Sequence, residues 1–420
     1  MKKQQFSLWQ VMLPAGLGTM LSLFGDASLY TILPTHTEEA GITLLAVGTM
    51  LSANRFIRLI SNGPAGWLSD RLPRRWVFVP SLFLGAISTA VYGVTTGYWP
   101  LLIGRLLWGI SWSGIWVTGN AIILDIADES NRGRYVGIYN VFFFAGAAGG
   151  SAAGGALTDL FGYHVALNID ATISLIGALI ALLFLPETRT ASQAEEIDET
   201  TAVSAPAEAQ NQKPVSWPEL GSAIGLMGVN RIVVAGMLTP TLAILMLQTF
   251  GDSVTIWGRM IGVTTLTGIG LSSSTIIGTL IVPAAGTLSD RLRQRWGTAV
   301  AGIVPGIAGF SLLAVATPWA ILLGLPLTAV SSGSNQAMST TLVGDMAGKT
   351  QRGRFMGFLF TIGDLGSALG PLVAFWLIAN LQIELVYLLA SVLLVLMFFV
   401  AFWWAYTQRN RSPYLLNTPN

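Results

Sequence analysis

The chain has 420 residues, of which 52% are hydrophobic and only 10% are charged, against about 25% charged residues in soluble proteins. A chain this apolar cannot be solvated as an ordinary globule, so we expect it in a lipid bilayer. The formal net charge of +1 excludes a broad electrostatic hold on nucleic acid, which needs a clustered basic surface. There is no cysteine and there are two histidines, so neither a metal nor another cofactor is expected.

Apolar segments of about 20 residues, long enough to cross the hydrocarbon core as helices, recur along the whole chain. In the first half they fall at about residues 10–33, 41–64, 76–97, 99–124, 135–157 and 166–186. In the second half they fall at about residues 232–251, 261–284, 297–317, 319–343, 355–379 and 385–406. The predicted fold is an all-α membrane protein with twelve transmembrane helices in two bundles of six.

The basic residues predict the orientation of these helices. Most of the 22 lysines and arginines fall in predicted loops or ends on the side of the two termini, including Arg71, Arg132, Arg231 and Arg291, and Arg259 alone falls in the opposite loops. Cytoplasmic loops are enriched in Lys and Arg. We therefore expect the cytoplasmic (inner) membrane, with both termini in the cytoplasm.

The segment after the sixth predicted helix is acidic and rich in Ala, Ser, Thr and Pro, which is typical of a flexible linker. A short surface helix near residues 217–228 is a further possibility within it. The predicted domains are an amino-terminal bundle at 1–186, a cytoplasmic linker at 187–230, a carboxy-terminal bundle at 231–406 and a cytoplasmic tail at 407–420.

Polar residues recur in the same order 220 positions apart. The matching pairs are Gly66 and Gly286, Asp70 and Asp290, Arg71 and Arg291, Arg75 and Arg295, Asp125 and Asp345, Arg134 and Arg354, Gly146 and Gly366, and Gly150 and Gly370. The spacing is constant from the first pair to the last, which predicts two parallel copies of one helical unit, related by pseudo-two-fold symmetry. Such repeats are used for alternating-access transport.

Residues 66–75, Gly-Trp-Leu-Ser-Asp-Arg-Leu-Pro-Arg-Arg, resemble the loop signature of the major facilitator superfamily of secondary transporters. Arg105 with Gly109 is similar to the fourth-helix signature of that family. Residues 137–155 are similar to the fifth-helix glycine motif of its proton-antiporter branch. The resemblance implies a transporter and not an enzyme, with a small-molecule substrate and protons as the coupling ion, and we expect it to act as a monomer.

Two residues depart from these family patterns. Pro73 stands where the loop motif usually has Gly, and Ser151 stands where the antiporter motif usually has Pro. The second copy does have the proline, as Pro371. The assignment to the antiporter branch therefore depends on the glycines more than on the proline.

The resemblance also implies a gate at the cytoplasmic helix ends, with Asp70 facing the start of helix 11 and Asp290 facing the start of helix 5. A carboxylate at a helix N-terminus is worth about 0.3 to 2 kcal/mol, enough to bias a two-state gate. Asp125 and Asp345 are placed to pair with the loop arginines. The predicted gate residues are Gly66, Asp70, Arg71, Arg75, Asp125, Arg134, Asp290, Arg291, Asp345 and Arg354. Charges that only fix the topology are the alternative.

Glycines spaced four residues apart form one face of predicted helix 5. The motif comprises Gly146, Gly150 and Gly154, with Gly366, Gly370 and Pro371 at the matching place in helix 11. Glycine allows a neighbouring backbone to approach closely. This face serves either simple packing or a hinge or seal.

Four charged residues fall inside predicted helices of the first half: Asp26, Arg55, Arg58 and Arg105. A charge at this depth costs about 2.5 to 3.5 kcal/mol on insertion scales, so such residues normally face a cavity or a partner. Asp26 and Arg105 both lie about 10 Å from the outer ends of their helices and could pair. Burial disfavours the charged form of a carboxyl group and a nearby arginine favours it. We therefore predict that Asp26 couples transport to protons with Arg105 as its partner.

Arg55 and Arg58 would then attract an anionic group of the substrate or complete the network. The alternative is a static ion network that holds helices 1, 2 and 4 together. The second half lacks comparable charges at depth, so Asn335 and Gln336 are its candidates for lining the cavity, with Asp364 as a lesser one.

Predicted helix 4 carries a tryptophan every four residues: Trp108, Trp112 and Trp116. Trp112 is the candidate for contact with an apolar substrate. Packing against lipid or other helices is the alternative for at least two of the three.

Residues 344–350 resemble a phosphate-binding loop, but they are one residue short of the Walker spacing and follow a membrane helix rather than a strand. Without a nucleotide site, the energy must come from an ion gradient. The leading prediction is proton-coupled efflux of a small amphipathic compound. Uptake or flipping of an anionic or lipid-linked substrate, and a transporter-like sensor without flux, are the alternatives.

Overall fold

The computed structural model describes residues 6–128, 130–188, 216–256, 258–347 and 351–411. Within these ranges the chain forms twelve long helices, α1 to α12. The first six are α1 (Leu8–Ile32), α2 (Leu44–Arg71), α3 (Arg74–Val94), α4 (Tyr98–Asp125), α5 (Arg132–Phe161) and α6 (Tyr163–Phe184). The other six are α7 (Trp217–Phe250), α8 (Val263–Leu292), α9 (Arg295–Leu313), α10 (Pro318–Met346), α11 (Arg352–Asn380) and α12 (Ile383–Arg411).

Of these twelve described helices, ten are long and apolar enough to cross a membrane. The other two are α2, which carries Arg55 and Arg58 in its interior, and α10, which is rich in Ser and Thr. Polar helices of membrane proteins face the protein interior rather than lipid. The predicted fold class, an all-α membrane protein with twelve long helices, is confirmed.

The helices form two compact units. The first contains α1 to α6 together with residues 251–272, and the second contains α7, the rest of α8 and α9 to α12. Helix α8 therefore begins in the first unit, which differs from the predicted boundary at residue 186. Packing on α5 is the reason, because Ser272 Oγ donates a 2.6 Å hydrogen bond to Ala148 O and Gly268 lies against Ala152.

Helix α7 begins earlier than the sequence predicted. It starts at Trp217, followed by Pro218, which favours the first turn of a helix, and its inner face includes the buried Met227. The last part of the predicted linker, 187–230, is therefore helical, as the sequence allowed, but it continues directly into the next predicted helix as one element of 34 residues. The rest of that linker, residues 189–215, lies outside the described ranges.

The middle of α7 is a π-helical segment, Ile232–Leu238. Pro240 has no N–H group, so Gly236 O cannot accept its usual α-helical hydrogen bond. The Thr239 N–H bonds instead to Val234 O, one residue further back than in an α-helix. Segments of this kind are rare and frequently lie at functional sites.

A short antiparallel hairpin precedes α8, where the sequence predicted only a loop. Its strands are β1 (Ser253–Ile256) and β2 (Arg259–Gly262), with Val254 opposite Ile261. The β-branched run at the end of β1 favours a strand. Gly258 has a φ of +75°, which glycine adopts without steric cost, so the turn can form at this position.

The glycine face of α5 packs against α1 in the first unit. Its members are Gly146, Gly150 and Gly154. A Cβ atom on each of them would lie 2.8 to 2.9 Å from the Cα atoms of Met20, Phe24 and Ser28, closer than a side chain tolerates. The packing role of these glycines is therefore visible in the structure, and a hinge role remains a prediction.

The second unit repeats this arrangement between α11 and α7. A Cβ on Gly366 would lie 2.7 Å from Gly228 O, and one on Gly370 would lie 2.7 Å from the carbonyl carbon of Gly236. Pro371 follows within the same helix. The two copies of the motif therefore support equivalent helix pairs, α1 with α5 and α7 with α11.

We expect Gly150→Val to separate α1 from α5 and to lower stability by about 1 to 3 kcal/mol, the usual cost of overpacking. Gly137→Val is the matched control, because Gly137 lies on the same helix with no atom within 4 Å of an added Cβ. Thermal unfolding of the two purified variants tests this. Equal unfolding temperatures would show that the α1–α5 contact is not tight.

Candidate functional site

The first unit contains a buried ion pair between α1 and α4. Arg105 Nη1 lies 2.6 Å from Asp26 Oδ1. The Arg105 side chain is fully buried, whereas the Asp26 side chain is 12% exposed. The two charges expected to pair from their depth in the helices are thus in contact, and Asp26 is the less buried of the two.

Helix α2 and an aromatic ring complete the surroundings of the pair. Arg105 Nε donates to Met50 O at 3.2 Å, and Asn54 Nδ2 donates to Asp26 Oδ1 at 3.3 Å. The Arg105 Cζ lies 5.3 Å from the centroid of the Tyr30 ring, within cation–π range. Within the described ranges, Arg105 Nη2 and Asn54 Oδ1 have no hydrogen-bond partner. The site therefore retains a donor and an acceptor for another arrangement of the same groups.

Arg55 and Arg58 lie on α2 and are half-buried. The Arg55 Cζ lies 5.9 Å from the centroid of the same Tyr30 ring, so this ring contacts two guanidinium groups. Arg58, three residues along the helix, shares its face. The structure places Arg55 beside the ion pair, and the anion-binding role of both arginines remains a prediction.

The tryptophans of α4 form a stack inside the first unit. The ring centroids of Trp108 and Trp112 are 6.1 Å apart, those of Trp112 and Trp116 are 5.6 Å apart, and Tyr139 of α5 continues the stack. Trp108 is 2% exposed and Trp112 is 6% exposed. Helix packing, and not lipid contact, accounts for these two residues, and Trp112 is a core residue here rather than a cavity wall.

Asn335, expected to line the cavity, is fully buried in the second unit. Its Nδ2 donates to Ser331 Oγ at 3.2 Å, and Gly302 of α9 lies against its Oδ1. Helix α9 covers the face of α10 that carries Asn335, so the structure assigns this residue to packing. Gln336 is half-buried, and its Oε1 accepts a long hydrogen bond of 3.5 Å from Arg231 Nη2.

Arg231 is the charged residue that the sequence placed in a cytoplasmic loop and that the structure places inside α7. It lies 14 residues after Trp217, about 21 Å along the helix, and directly before the π segment. Arg231 also lies 19 residues, about 28 Å, before the end of α7 at Phe250, which is close to the full thickness of a hydrocarbon core of about 30 Å. The apolar residues before Arg231, at positions 220 and 223–229, were the signal for a longer helix.

Arg74 is the centre of the charged cluster at the loop between α2 and α3. It is 9% exposed and forms 3.2 Å salt bridges with both Asp70 and Asp125. The carboxylate of Glu187 accepts hydrogen bonds from the backbone N–H groups of Arg74 and Arg75 at 2.9 and 3.1 Å, and so caps the start of α3. The sequence prediction missed both Arg74 and Glu187.

The predicted gate arginines of this loop have other contacts. Arg71 lies over the Trp67 ring, with its Cζ 4.3 Å from the centroid, and Arg75 donates to Leu182 O. Arg134, in the first turn of α5, is exposed. The prediction that Asp125 pairs with loop arginines is met by Arg74 instead of Arg71 or Arg75.

Arg295 forms the equivalent cluster in the second unit. It forms salt bridges with Asp290 and, at 2.9 Å, with Asp345, and it donates to Ser289 Oγ at 3.2 Å. Arg291 is exposed. Arg295 therefore forms the same pair of salt bridges as Arg74, although a constant spacing of 220 aligns it with Arg75.

The repeat therefore slips by one residue at this point, contrary to the constant spacing expected. Pro73, with a φ of −55°, directly precedes α3 in the first copy. In the second copy Arg293 has a φ of +52°, and the connection to α9 is one residue longer. The slip leaves Trp76 73% exposed and its sequence match, Trp296, fully buried. The two loops have the same charges in different backbone conformations.

Helix packing shows how far the slip extends. Gly85 of α3 lies against Ser111 of α4, and Gly306 of α9 lies against Ser331 of α10. Gly306 follows Gly85 by 221 positions, whereas Ser331 follows Ser111 by 220. The slip is thus carried along α9 and has ended by Ser331 of α10.

We expect Arg74→Gln to lower stability by about 1 to 3 kcal/mol, since it leaves the half-buried Asp125 without its cation. Arg75→Gln is the matched control and should cost less than about 1 kcal/mol, as for an exposed charge. Unfolding of both purified variants in detergent measures the difference. A larger loss of stability for Arg75→Gln would contradict this, and would show that Arg75 rather than Arg74 is the equivalent of Arg295.

The sequence matches the Major Facilitator Superfamily over residues 15–279 and again over residues 224–419. The chain belongs to the major facilitator superfamily. It is 29% identical over 364 residues to the class E tetracycline resistance protein of Escherichia coli, covering 84% of each chain. It is 24% identical over 409 residues to the multidrug resistance protein MdtG of Escherichia fergusonii, covering 96% of this chain and 95% of that one.

Solved structures of transporters share the fold. A bacterial homologue of the human lysosomal transporter Spinster superposes with a TM-score of 0.74 at 15% identity, over 93% of this chain and 96% of the other. The nucleoside transporter NupG superposes with a TM-score of 0.71 at 15% identity, over 93% and 98%. The protein is therefore a membrane transporter of this superfamily and not an enzyme.

Proposed function

We propose that this transporter exports a small amphipathic compound from the cytoplasm in exchange for protons, as a monomer with both termini in the cytoplasm. The observation that carries the proposal is the ion pair between Asp26 and the fully buried Arg105. A titratable group held at membrane depth against a fixed cation is what proton coupling requires. The tetracycline and multidrug resistance relatives supply the substrate class.

Protonation of Asp26 would change the forces between α1 and α4. The ionised carboxylate is attracted to Arg105, and the neutral acid loses most of that attraction. Arg105 would keep its hydrogen bond to Met50 O and its place on the Tyr30 ring, so its charge is not left without contacts. The attraction between α1 and α4 can therefore weaken on protonation while the hydrogen bond from Arg105 of α4 to Met50 O of α2 remains.

The cytoplasmic gate is part of the same proposal. The carboxylates of Asp70 and Asp290 pair with Arg74 and Arg295, yet their side chains remain 65% and 66% exposed. Each carboxylate therefore has free surface on which another helix end can bind. A helix N-terminus is the partner that such a carboxylate favours, at about 0.3 to 2 kcal/mol.

A second candidate is uptake or flipping of an anionic or lipid-linked compound. Arg55 and Arg58 in α2 and Arg231 in α7 place guanidinium groups within long helices of both units. Guanidinium groups bind carboxylates and phosphates with two parallel hydrogen bonds. The two candidates differ in the charge of the solute and in the direction of movement.

Proteoliposomes containing the purified protein separate these candidates. An imposed pH gradient should drive accumulation of tetracycline or ethidium, and a protonophore should abolish it. Accumulation of an anionic dye alone would favour the second candidate. Absence of any gradient-driven movement for all three probes would contradict the proposal and favour a sensor without flux.

A further inference from the structure

A second carboxyl group lies inside the first unit, apart from the Asp26–Arg105 pair. Asp170 of α6 is fully buried, about 10 Å along the helix from its start at Tyr163. Neither of its carboxylate oxygens has a hydrogen-bond partner within the described ranges. An ionised carboxylate is very costly in such a position, so a buried carboxyl group takes up a proton instead.

Ser174, one turn after Asp170, donates to Leu21 O of the antiparallel α1. The hydroxyl of Ser28 lies two turns after Leu21 on the same face of α1, and therefore at the level of Asp170. That hydroxyl already donates its hydrogen to Gly150 O on α5, at 3.0 Å. A hydroxyl has one hydrogen to donate and two lone pairs that accept. Ser28 can therefore serve Asp170 only as an acceptor, and a hydrogen bond between them needs a proton on Asp170.

Charged groups nearby do not replace that proton. Helix α6 packs against α1, α3 and α5. The titratable residues in the outer halves of these four helices are Asp26, Tyr30, Tyr92, Asp159, Tyr163 and His164. None of them forms a hydrogen bond with Asp170 within the described ranges.

Other polar groups of α6 have their own partners. Asn168 Nδ2 donates to Gly93 O and to His164 O, and Ser174 Oγ donates to Leu21 O at 3.2 Å. Asp170 therefore differs from its neighbours, because they satisfy their hydrogen bonds without any change of protonation.

We propose that Asp170 is a second proton-binding site, and that its proton completes a hydrogen-bond chain from α6 through Ser28 to Gly150 on the glycine face of α5. Asp170 donates to Ser28 Oγ, and Ser28 donates to Gly150 O. When the proton leaves, two acceptors compete for the single hydroxyl hydrogen, and the contact of α1 with either α5 or α6 weakens. The site deepens the proposed function, on which its part in transport rests, but proton binding itself does not depend on transport.

Infrared spectroscopy of the purified protein in lipid tests this site directly, since a protonated carboxyl group has its own C=O stretching band. We expect one such band at pH 7 that is absent from Asp170→Asn and present in Asp26→Asn. Asparagine has the shape of the protonated acid and donates to the same acceptor, so this variant should fold. A spectrum of Asp170→Asn that matches the wild type would overturn the proposal.

A second variant, at Ser28, tests the hydrogen-bond chain even if Asp170→Asn does not fold. Ser28→Ala removes the acceptor of the Asp170 proton, so the Asp170 band should shift in frequency. Ser174→Ala is the matched control, because it removes another α6–α1 hydrogen bond and should leave that band unchanged. No shift in Ser28→Ala would contradict the hydrogen-bond chain. These spectra need neither substrate nor gradient, so their failure is distinct from failure of pH-driven transport.

Discussion

Asp26→Asn is expected to abolish accumulation of the transported compound in response to a pH gradient. One pH unit corresponds to about 1.4 kcal/mol per proton, so a one-for-one exchange can sustain about a tenfold solute gradient per unit. Without a titratable group at this position that gradient should fall to equality. Accumulation in proteoliposomes at several imposed gradients measures the change.

Asparagine keeps an oxygen that can accept from Arg105 Nη1, so the variant should fold and bind substrate. Asp26→Glu is the control, since it keeps a titratable carboxyl group and should retain coupling. Substrate binding by the purified variants shows whether the site remains intact. Full pH-driven accumulation in Asp26→Asn would remove this residue from the coupling mechanism.

Arg105→Met is expected to destabilise the protein by about 3 to 5 kcal/mol, because it leaves the Asp26 carboxylate at membrane depth without its cation. The double variant Asp26→Asn with Arg105→Met should recover most of that loss, since a neutral pair of similar volume often replaces a buried ion pair at little cost. Thermal or denaturant unfolding of the three variants measures the coupling between the two residues.

The same variants separate proton coupling from a static ion network. If the pair couples transport to protons, the double variant should be stable and bind substrate but lack pH-driven accumulation. If the pair only holds α1 and α4 together, the stable double variant should transport normally. A double variant that is both stable and capable of pH-driven accumulation would therefore support the static ion network.

The helices were predictable because bilayer thickness fixes their length and lipid excludes charge from them. The exception was α7, where Arg231 interrupts the apolar run and was taken as its boundary. The structure continues the helix through this residue, and the Arg231 guanidinium group lies beside Gln336 of α10. A charge inside a helix needs a partner from another helix, and sequence spacing does not show that partner.

Some site residues were predictable from the chain alone. Asp26 and Arg105 were recognised because charged residues at equal depth in two helices attract each other. Asn335 and Trp112 were assigned to the cavity, but neighbouring helices cover them. Their residue types suit either role, and only the face that each helix turns toward its neighbours separates the two.

The sequence by itself determined the number of helices, the duplication and the depth of the first-half charges, since each follows from hydrophobicity and spacing along one chain. Tertiary structure decided which arginine completes each cytoplasmic cluster. Arg74 and Arg295 occupy equivalent places because Arg293 adopts a left-handed conformation that shifts α9 by one residue. A change in the backbone of one loop can therefore change the partner of a charge without changing the order of residues along the chain.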